Sequence, residues 1–272
     1  MIPGLVSIVG AGPGAPDLLT VRALRCLRQA DVVFHDGLVP RAIVRLARLA
    51  RHYPVSRRPG AVRSAPGAVV ELMVEAARRG DRVVRLRAGD PFVLGRGAEE
   101  ALGLVEAGVP FQIVPGLTTA SAGPTLAGIP LTHRGVTSNV VIVSGHAPEA
   151  YEPLLSALPS HGATVVVLMG MTERAHIAEL LLTCGWRLDT PAAIVTNASR
   201  RGERIWHDTL IALSTHSRDV VHPEPGVLII GDVVRVGAVI AAAMHAAPRH
   251  QQGPAEECLS VVLDGKETSW QQ

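Results

Sequence analysis

Residues 7–20 read SIVGAGPGAPDLLT, an apolar strand that runs straight into glycines at alternate positions, Gly10, Gly12 and Gly14, with Pro13 and Pro16 among them. Gly10-x-Gly12-x-x-Ala15 satisfies the relaxed dinucleotide fingerprint, and Asp31 or Asp36 stands near the expected acidic position. The prolines argue the other way. A pyrophosphate seat needs free backbone N–H groups at a helix N-terminus, and Pro13 and Pro16 remove two of them. The loop is therefore expected to be stiff and poor in donors. Such a loop suits an uncharged or cationic ligand, which disfavours a nicotinamide cofactor.

Working outward from this loop, strands and helices alternate. Leu5–Val9, Asp31–Phe34, Arg82–Leu86 and Phe111–Val114 are short apolar runs of strand type. Helical spacing covers Asp17–Gln29, Ala68–Arg79 (closed by Gly80) and Ala98–Ala107 (closed by Gly108). Residues 114–135, VPGLTTASAGPTLAGIPLTHRG, break the rhythm with Gly, Pro and Thr, so a domain boundary is placed at Pro115. Strands then follow at Val140–Val143, Val165–Met169, Ala192–Val195 and Val227–Ile230, with a helix at Glu173–Thr183. Apolar strands separated by helices predict α/β architecture with mainly parallel sheets. The expected division is an α/β domain over 1–115, a second over 116–245, and a flexible tail over 246–272.

Composition narrows the function classes. A net charge of +2 gives no nucleic-acid footprint. No apolar run reaches the length of a membrane span and Met1-Ile2-Pro3 opens no leader, so a cytoplasmic protein without membrane contact is expected. Cys26, Cys184 and Cys258 are far apart and fit no metal-ligand spacing, and no metal is expected. Lys266 in the tail is the only lysine. The rest of the chain thus carries its positive charge as guanidinium, which stays protonated and binds carboxylates through two parallel hydrogen bonds.

A second stretch, RLRAGDPFVLGRGAEE over residues 85–100, leaves a strand through a small-small-acid-proline turn and reaches Arg96 at a helix entrance. Asp90 fits either an ordinary turn or an acceptor for an ammonium or ribose. Arg96 and Glu99 fit either a surface ion pair at helical spacing or a binding pair. Together with VGAGPGAPDLLTVRAL, ADVVFHDGLV, VPGLTTASAGPTLAGIPLTHRG and VSGH, these blocks resemble the uroporphyrinogen-III C-methyltransferases, which are tetrapyrrole methylases using S-adenosylmethionine (SAM). The resemblance covers about Leu5 to Val239.

What the resemblance implies is specific. The fold would be two α/β domains with SAM, or its product S-adenosylhomocysteine, in the cleft between them, usually in a homodimer. The cofactor contacts would fall at Pro13, Ala88, Gly89, Asp90, Val93, Thr118, Thr119, Met169, Ala198 and Gly226. On the substrate side stand Arg96, Glu99, Arg134 and His146, with Asp36 as proton acceptor. Arg57 and Arg58 would bind substrate carboxylates. The implied reaction is C-methylation of a tetrapyrrole, uroporphyrinogen III, twice, to precorrin-2. Several positions depart from the family pattern: Ala15 for Asp, Gly37 for Arg, Arg57 for a lysine proposed as proton donor, and Ala88 and Ala198 for Gly. The alternatives these leave are C-methylation of another electron-rich ring such as an indole, a non-catalytic SAM binder and, against the prolines, an oxidoreductase.

Overall fold

The computed structural model describes residues 4–55, 67–215 and 224–246. Arg57, Arg58 and residues 247–272 lie outside the described residues. The first sheet holds β1 (Val6–Gly10), β2 (Val32–Asp36), β3 (Arg51–Val55), β4 (Val83–Arg87) and β5 (Phe111–Val114) in the order β3-β2-β4-β1-β5. All its pairings are parallel. Alternation along the strands feeds two cores. Val6, Ile8, Val32, Phe34 and Val83 pack under α3 (Ala68–Arg78) and α4 (Gly97–Glu106). Val9, Val33, Val84 and Leu86 pack under α1 (Val21–Gln29) and α2 (Arg41–Val44).

This order has a functional consequence. From β1 the chain moves one way across the sheet, and from β4 it moves the other way with its helices on the opposite face. The crevice beyond the carboxyl ends of β1 and β4 is thus the topological switch point, where open parallel sheets bind ligands. The loops that leave β1 and β4 there are the two stretches singled out in the sequence.

The helix expected over Asp17–Gln29 is broken. A 3-10 turn covers Pro16–Leu18, Leu19 and Thr20 are extended, and α1 begins at Val21. Thr20 is the cause: its Oγ1 accepts from Ala23 N at 3.1 Å and so caps the new helix. Replacing Thr20 with alanine is expected to cost about 1 kcal/mol, read as a lower urea midpoint at unchanged slope.

The second sheet holds β6 (Asn139–Ser144), β7 (Ala163–Leu168), β8 (Pro191–Thr196), β9 (Arg204–Thr209) and β10 (Gly226–Ile230) in the order β6-β7-β10-β8-β9. Only β6 and β7 run parallel; β10 pairs antiparallel with β7 and β8, and β9 antiparallel with β8. Parallel pairings are the majority over the two sheets together, but this sheet taken alone is mixed. One face is covered by α6 (Pro148–Leu155), α7 (Arg174–Thr183) and α8 (Leu210–Thr215). The other is covered by α5 (Thr119–Leu126) and α9 (Val233–Ala246).

The helix α5 occupies the stretch that reads as irregular. Its apolar positions Ala120, Gly123, Pro124 and Ala127 still keep helical spacing and are buried. The small residues bring the helix close to the sheet: a Cβ on Gly123 would lie 2.9 Å from Val227 Cγ1. Among the described residues no helix is long and apolar enough to cross a membrane.

Candidate active site

The loops after β1 and β4 bind each other. Gly12 N donates to Gly89 O at 3.1 Å and Gly89 N to Gly12 O at 2.9 Å, both glycines having φ +68°. Ala11 N donates to Arg87 O, and Ala15 N to Ser199 Oγ at 2.9 Å. Pro13 and Pro16 have no N–H to offer. The glycine loop therefore directs these donors into the protein, as its prolines suggest, and does not make a phosphate cradle.

Asp90 is held in the same way. Its Oδ1 accepts from Phe92 N at 2.8 Å and its Oδ2 from Gly116 N at 3.0 Å, so the side chain shapes the turn and ties it to the segment after β5.

Above these loops lies a cavity of about 460 Å³ between the two sheets. Pro13, Ala88, Gly89, Asp90, Val93, Thr118, Thr119, Met169, Ala198 and Gly226 all line it. Leu94, Met171, Asn197, Arg200 and Glu224 join them, and the sequence reading did not name these. Backbone strain is concentrated here. The non-glycine residues with positive φ are Leu94, Arg96, Met169, Asn197 and Ser199 among the described residues, and each lines the cavity or adjoins a residue that does. Such conformations cost about 1–3 kcal/mol each and persist where the surroundings enforce them.

A second, larger cavity of about 1200 Å³ opens beside the first and shares Asp36, Leu38 and Arg87 with it. Arg96 and Glu99 line this second space, both exposed, their closest N···O approach a loose 3.9 Å. Arg134 and His146 line neither cavity. Arg134 sits exposed in the turn closed by His133 N and Thr137 O, and exposed His146 meets Ser144 Oγ at 2.8 Å.

The wall between the cavities is a charge network. Period-two alternation puts Asp36 of β2 and Arg85 and Arg87 of β4 on the face covered by α4, which supplies Glu100. Arg85, 1% exposed, donates from Nη2 to Asp36 Oδ1 at 2.7 Å and from Nε to Glu100 Oε1 at 2.9 Å. Its Nη1 reaches Phe34 O. Arg87 donates to the same Glu100 oxygen at 2.9 Å and to Gly95 O, and its Nε lies 3.4 Å from Asp36 Oδ2. Two guanidinium groups thus balance two carboxylates. Burial pushes the Arg87 guanidinium below its ordinary value, with Asp36 opposing. Burial likewise favours the neutral ring of His35. Arg85, Arg87 and Glu100 were not singled out in the sequence, although two arginines at alternate positions of an otherwise apolar strand, VVRLR, are the signal that finds them.

Residues 5–214 match the family model "Tetrapyrrole (Corrin/Porphyrin) Methylases". A siroheme synthase of Klebsiella pneumoniae is 40% identical over 244 residues, 89% of this chain and 51% of that protein. The chain therefore spans about half the length of the curated relatives it matches. A uroporphyrin-III C-methyl transferase from Thermus thermophilus is 38% identical with TM-score 0.72, over 86% of this chain and 94% of that one. The Thermus enzyme complexed with S-adenyl homocysteine superposes with TM-score 0.71, also at 38% identity, over 86% of this chain and all of that one. With a family match across most of its length and the two-sheet fold to go with it, this chain belongs to the tetrapyrrole methylase family.

Proposed function

We propose that the chain is a SAM-dependent C-methyltransferase that methylates uroporphyrinogen III twice to give precorrin-2. The observation that carries this reading is the pair of adjoining cavities. One lies at the switch point and is ringed by every residue that the family blocks point to for the donor. The other adjoins it through Asp36, Leu38 and Arg87 and carries further arginine and glutamate side chains.

The first cavity fits the donor on its own chemistry. Its walls include Val93, Leu94, Met169, Met171 and Ala198, apolar surface suited to an adenosine and a thioether. The loop beneath it offers no phosphate seat, and its volume falls in the range of small-molecule sites. Bound there, SAM supplies an electrophilic methyl to a ring carbon, its sulfur keeping the electron pair of the broken bond.

The chain's own contribution is mainly alignment, which can supply roughly 7–11 kcal/mol of a barrier in well-oriented cases. The wall formed by Leu38, Asp36 and Arg87 is where the two cavities meet, so it fixes where a ring carbon faces the methyl. Positive charge grows on the ring as the new C–C bond forms, and the Asp36 carboxylate is placed to stabilise it. A proton must then leave the ring system. Asp36 Oδ1 is engaged by Arg85, whereas the contacts of Oδ2 to Arg87 Nε and Ala88 N are both 3.4 Å. Oδ2 is therefore the oxygen that takes the proton. Arg96 binds a substrate carboxylate at the open side of the larger cavity, a role for which its permanent charge suits it.

The test is the mass of the product. Incubation with SAM and uroporphyrinogen III under anaerobic conditions is expected to add two methyl groups. A tetrapyrrole recovered unmethylated with folded protein that binds S-adenosylhomocysteine would overturn the assignment.

A further inference from the structure

The two arginines of the wall between the cavities are not equally committed. Arg85 is locked: its Nε donates to Glu100 Oε1, its Nη2 to Asp36 Oδ1 and its Nη1 to Phe34 O. Arg87 keeps a donor in hand. Its Nη1 goes to Glu100 Oε1 and its Nη2 to Gly95 O, but its Nε is buried with no hydrogen-bond partner among the described residues. That Nε stands 3.4 Å from Asp36 Oδ2. A small shift of the guanidinium would close the gap and bind the oxygen.

Glu100, in the first turn of α4, prevents that shift. Its Oε1 accepts from both arginines at 2.9 Å, while its Oε2 is buried and accepts from no described residue. A carboxylate placed for stability alone would spend both oxygens, since a buried unpaired acceptor is costly. Here one oxygen holds two cations and the second is left idle.

We propose that Glu100 is a positioning residue that holds the Arg87 guanidinium off Asp36 Oδ2 and so keeps this oxygen open for the proton leaving the methylated ring. In that step the ring keeps the electron pair and Oδ2 gains the proton. The role rests on Asp36 being the acceptor in the proposed methylation. Without the Glu100 charge, two guanidinium groups would face one carboxylate. An opposite charge beside a carboxylate favours its charged form, so Asp36 would resist protonation. The wall would also carry a net positive charge where the ring itself becomes positive.

The other charged groups nearby do not replace Glu100. His35, beside Asp36 on β2, is pushed by burial toward its neutral ring. Arg96 stands at the start of α4 and adds positive charge near Arg87. Arg200 comes from the second sheet and donates to Pro13 O and Leu38 O. Asp90 is held by the N–H groups of Phe92 and Gly116.

Steady-state kinetics with SAM and uroporphyrinogen III test the role, with S-adenosylhomocysteine calorimetry as the check on folding. Glu100→Gln is expected to lower kcat roughly 10- to 100-fold, the worth of a charge-assisted hydrogen bond onto Asp36, and to leave KM and S-adenosylhomocysteine affinity unchanged. Adding Arg87→Gln removes the surplus cation, so the double variant should turn over faster than Glu100→Gln alone. A merely structural Glu100 predicts the opposite, since the second change would add damage. Glu100→Asp keeps the charge, and its kcat should fall less than that of Glu100→Gln. Should Glu100→Gln not fold, Glu100→Asp carries the test through a lowered kcat at unchanged KM. An unchanged kcat, a loss confined to KM, or a double variant slower than Glu100→Gln would overturn the role. An unmodified protein that binds S-adenosylhomocysteine yet leaves uroporphyrinogen III unmethylated would instead remove the proposed reaction, and this role with it.

Discussion

Arg85→Met is expected to destabilise the protein by about 3–5 kcal/mol, the usual consequence of removing one partner from a buried ion pair. Methionine keeps the volume and leaves no large void, so the loss is electrostatic. Without Arg85, Asp36 and Glu100 share one guanidinium, that of Arg87, and a net negative charge stays inside the sheet. The Phe34 carbonyl loses its donor as well. The companion variant makes the cause visible. Arg85→Met with Glu100→Gln restores the charge balance, and replacing buried ionic groups by neutral ones of similar shape is often nearly neutral. The double variant should therefore recover much of the loss, with a coupling energy outside simple additivity. Urea midpoints at constant slope measure it. An Arg85→Met protein within about 1 kcal/mol of the original would show that water reaches this wall and that the network is not the rigid partition described above.

That network also shows what the sequence could and could not reveal. The strand Phe111–Val114 is found at its expected bounds, and the seven other strands named from the sequence begin and end within two residues of expectation, because apolar runs between helices are a strong local signal; Arg51–Val55, the largely exposed RHYPV at a sheet edge, was not among them. The ten residues that the resemblance implies for the donor line one cavity; Pro13, Ala88, Gly89, Asp90, Val93, Thr118 and Thr119 sit in blocks whose order along the chain is distinctive, while Met169, Ala198 and Gly226 lie outside those blocks. Arg85, Glu100 and Arg200 were not singled out. Their meaning comes from partners 15 to 187 residues away, such as Pro13 for Arg200, and no local period encodes that. The helix Thr119–Leu126 was hidden for another reason. Glycine and proline there read as breakers, while their buried, helically spaced positions serve close packing on β10. The edge strand Arg204–Thr209 went unrecognised because RIWHDT is largely exposed and lacks an apolar run.

The glycines of the opening loop carry the other large effect. Gly10→Ala would place a Cβ 2.6 Å from both Cα and N of Gly116 and 2.7 Å from Gly89 O. All three are backbone atoms, so no side chain can rotate aside. The reverse contact is equally closed, since a Cβ on Gly116 would meet Gly89 O and Gly10 Cα. The end of β1, the loop after β4 and the segment after β5 are thus interlocked through three residues without side chains. Overpacking of this kind costs about 3 kcal/mol. The strain should move the loops that carry Pro13, Asp90 and Thr118, because those loops are the parts free to give. S-adenosylhomocysteine affinity is accordingly expected to fall by at least roughly tenfold, a displacement of about 1.4 kcal/mol at the cavity. Gly80→Ala is the control. Gly80, unlike Gly10, has positive φ, +91°, with open space around its Cβ position, so it should lose about 1–2 kcal/mol of stability from backbone conformation alone and bind the ligand normally. A Gly10→Ala protein with unchanged affinity would mean that the close approach of Gly10, Gly89 and Gly116 does not set the position of the loops lining the cavity.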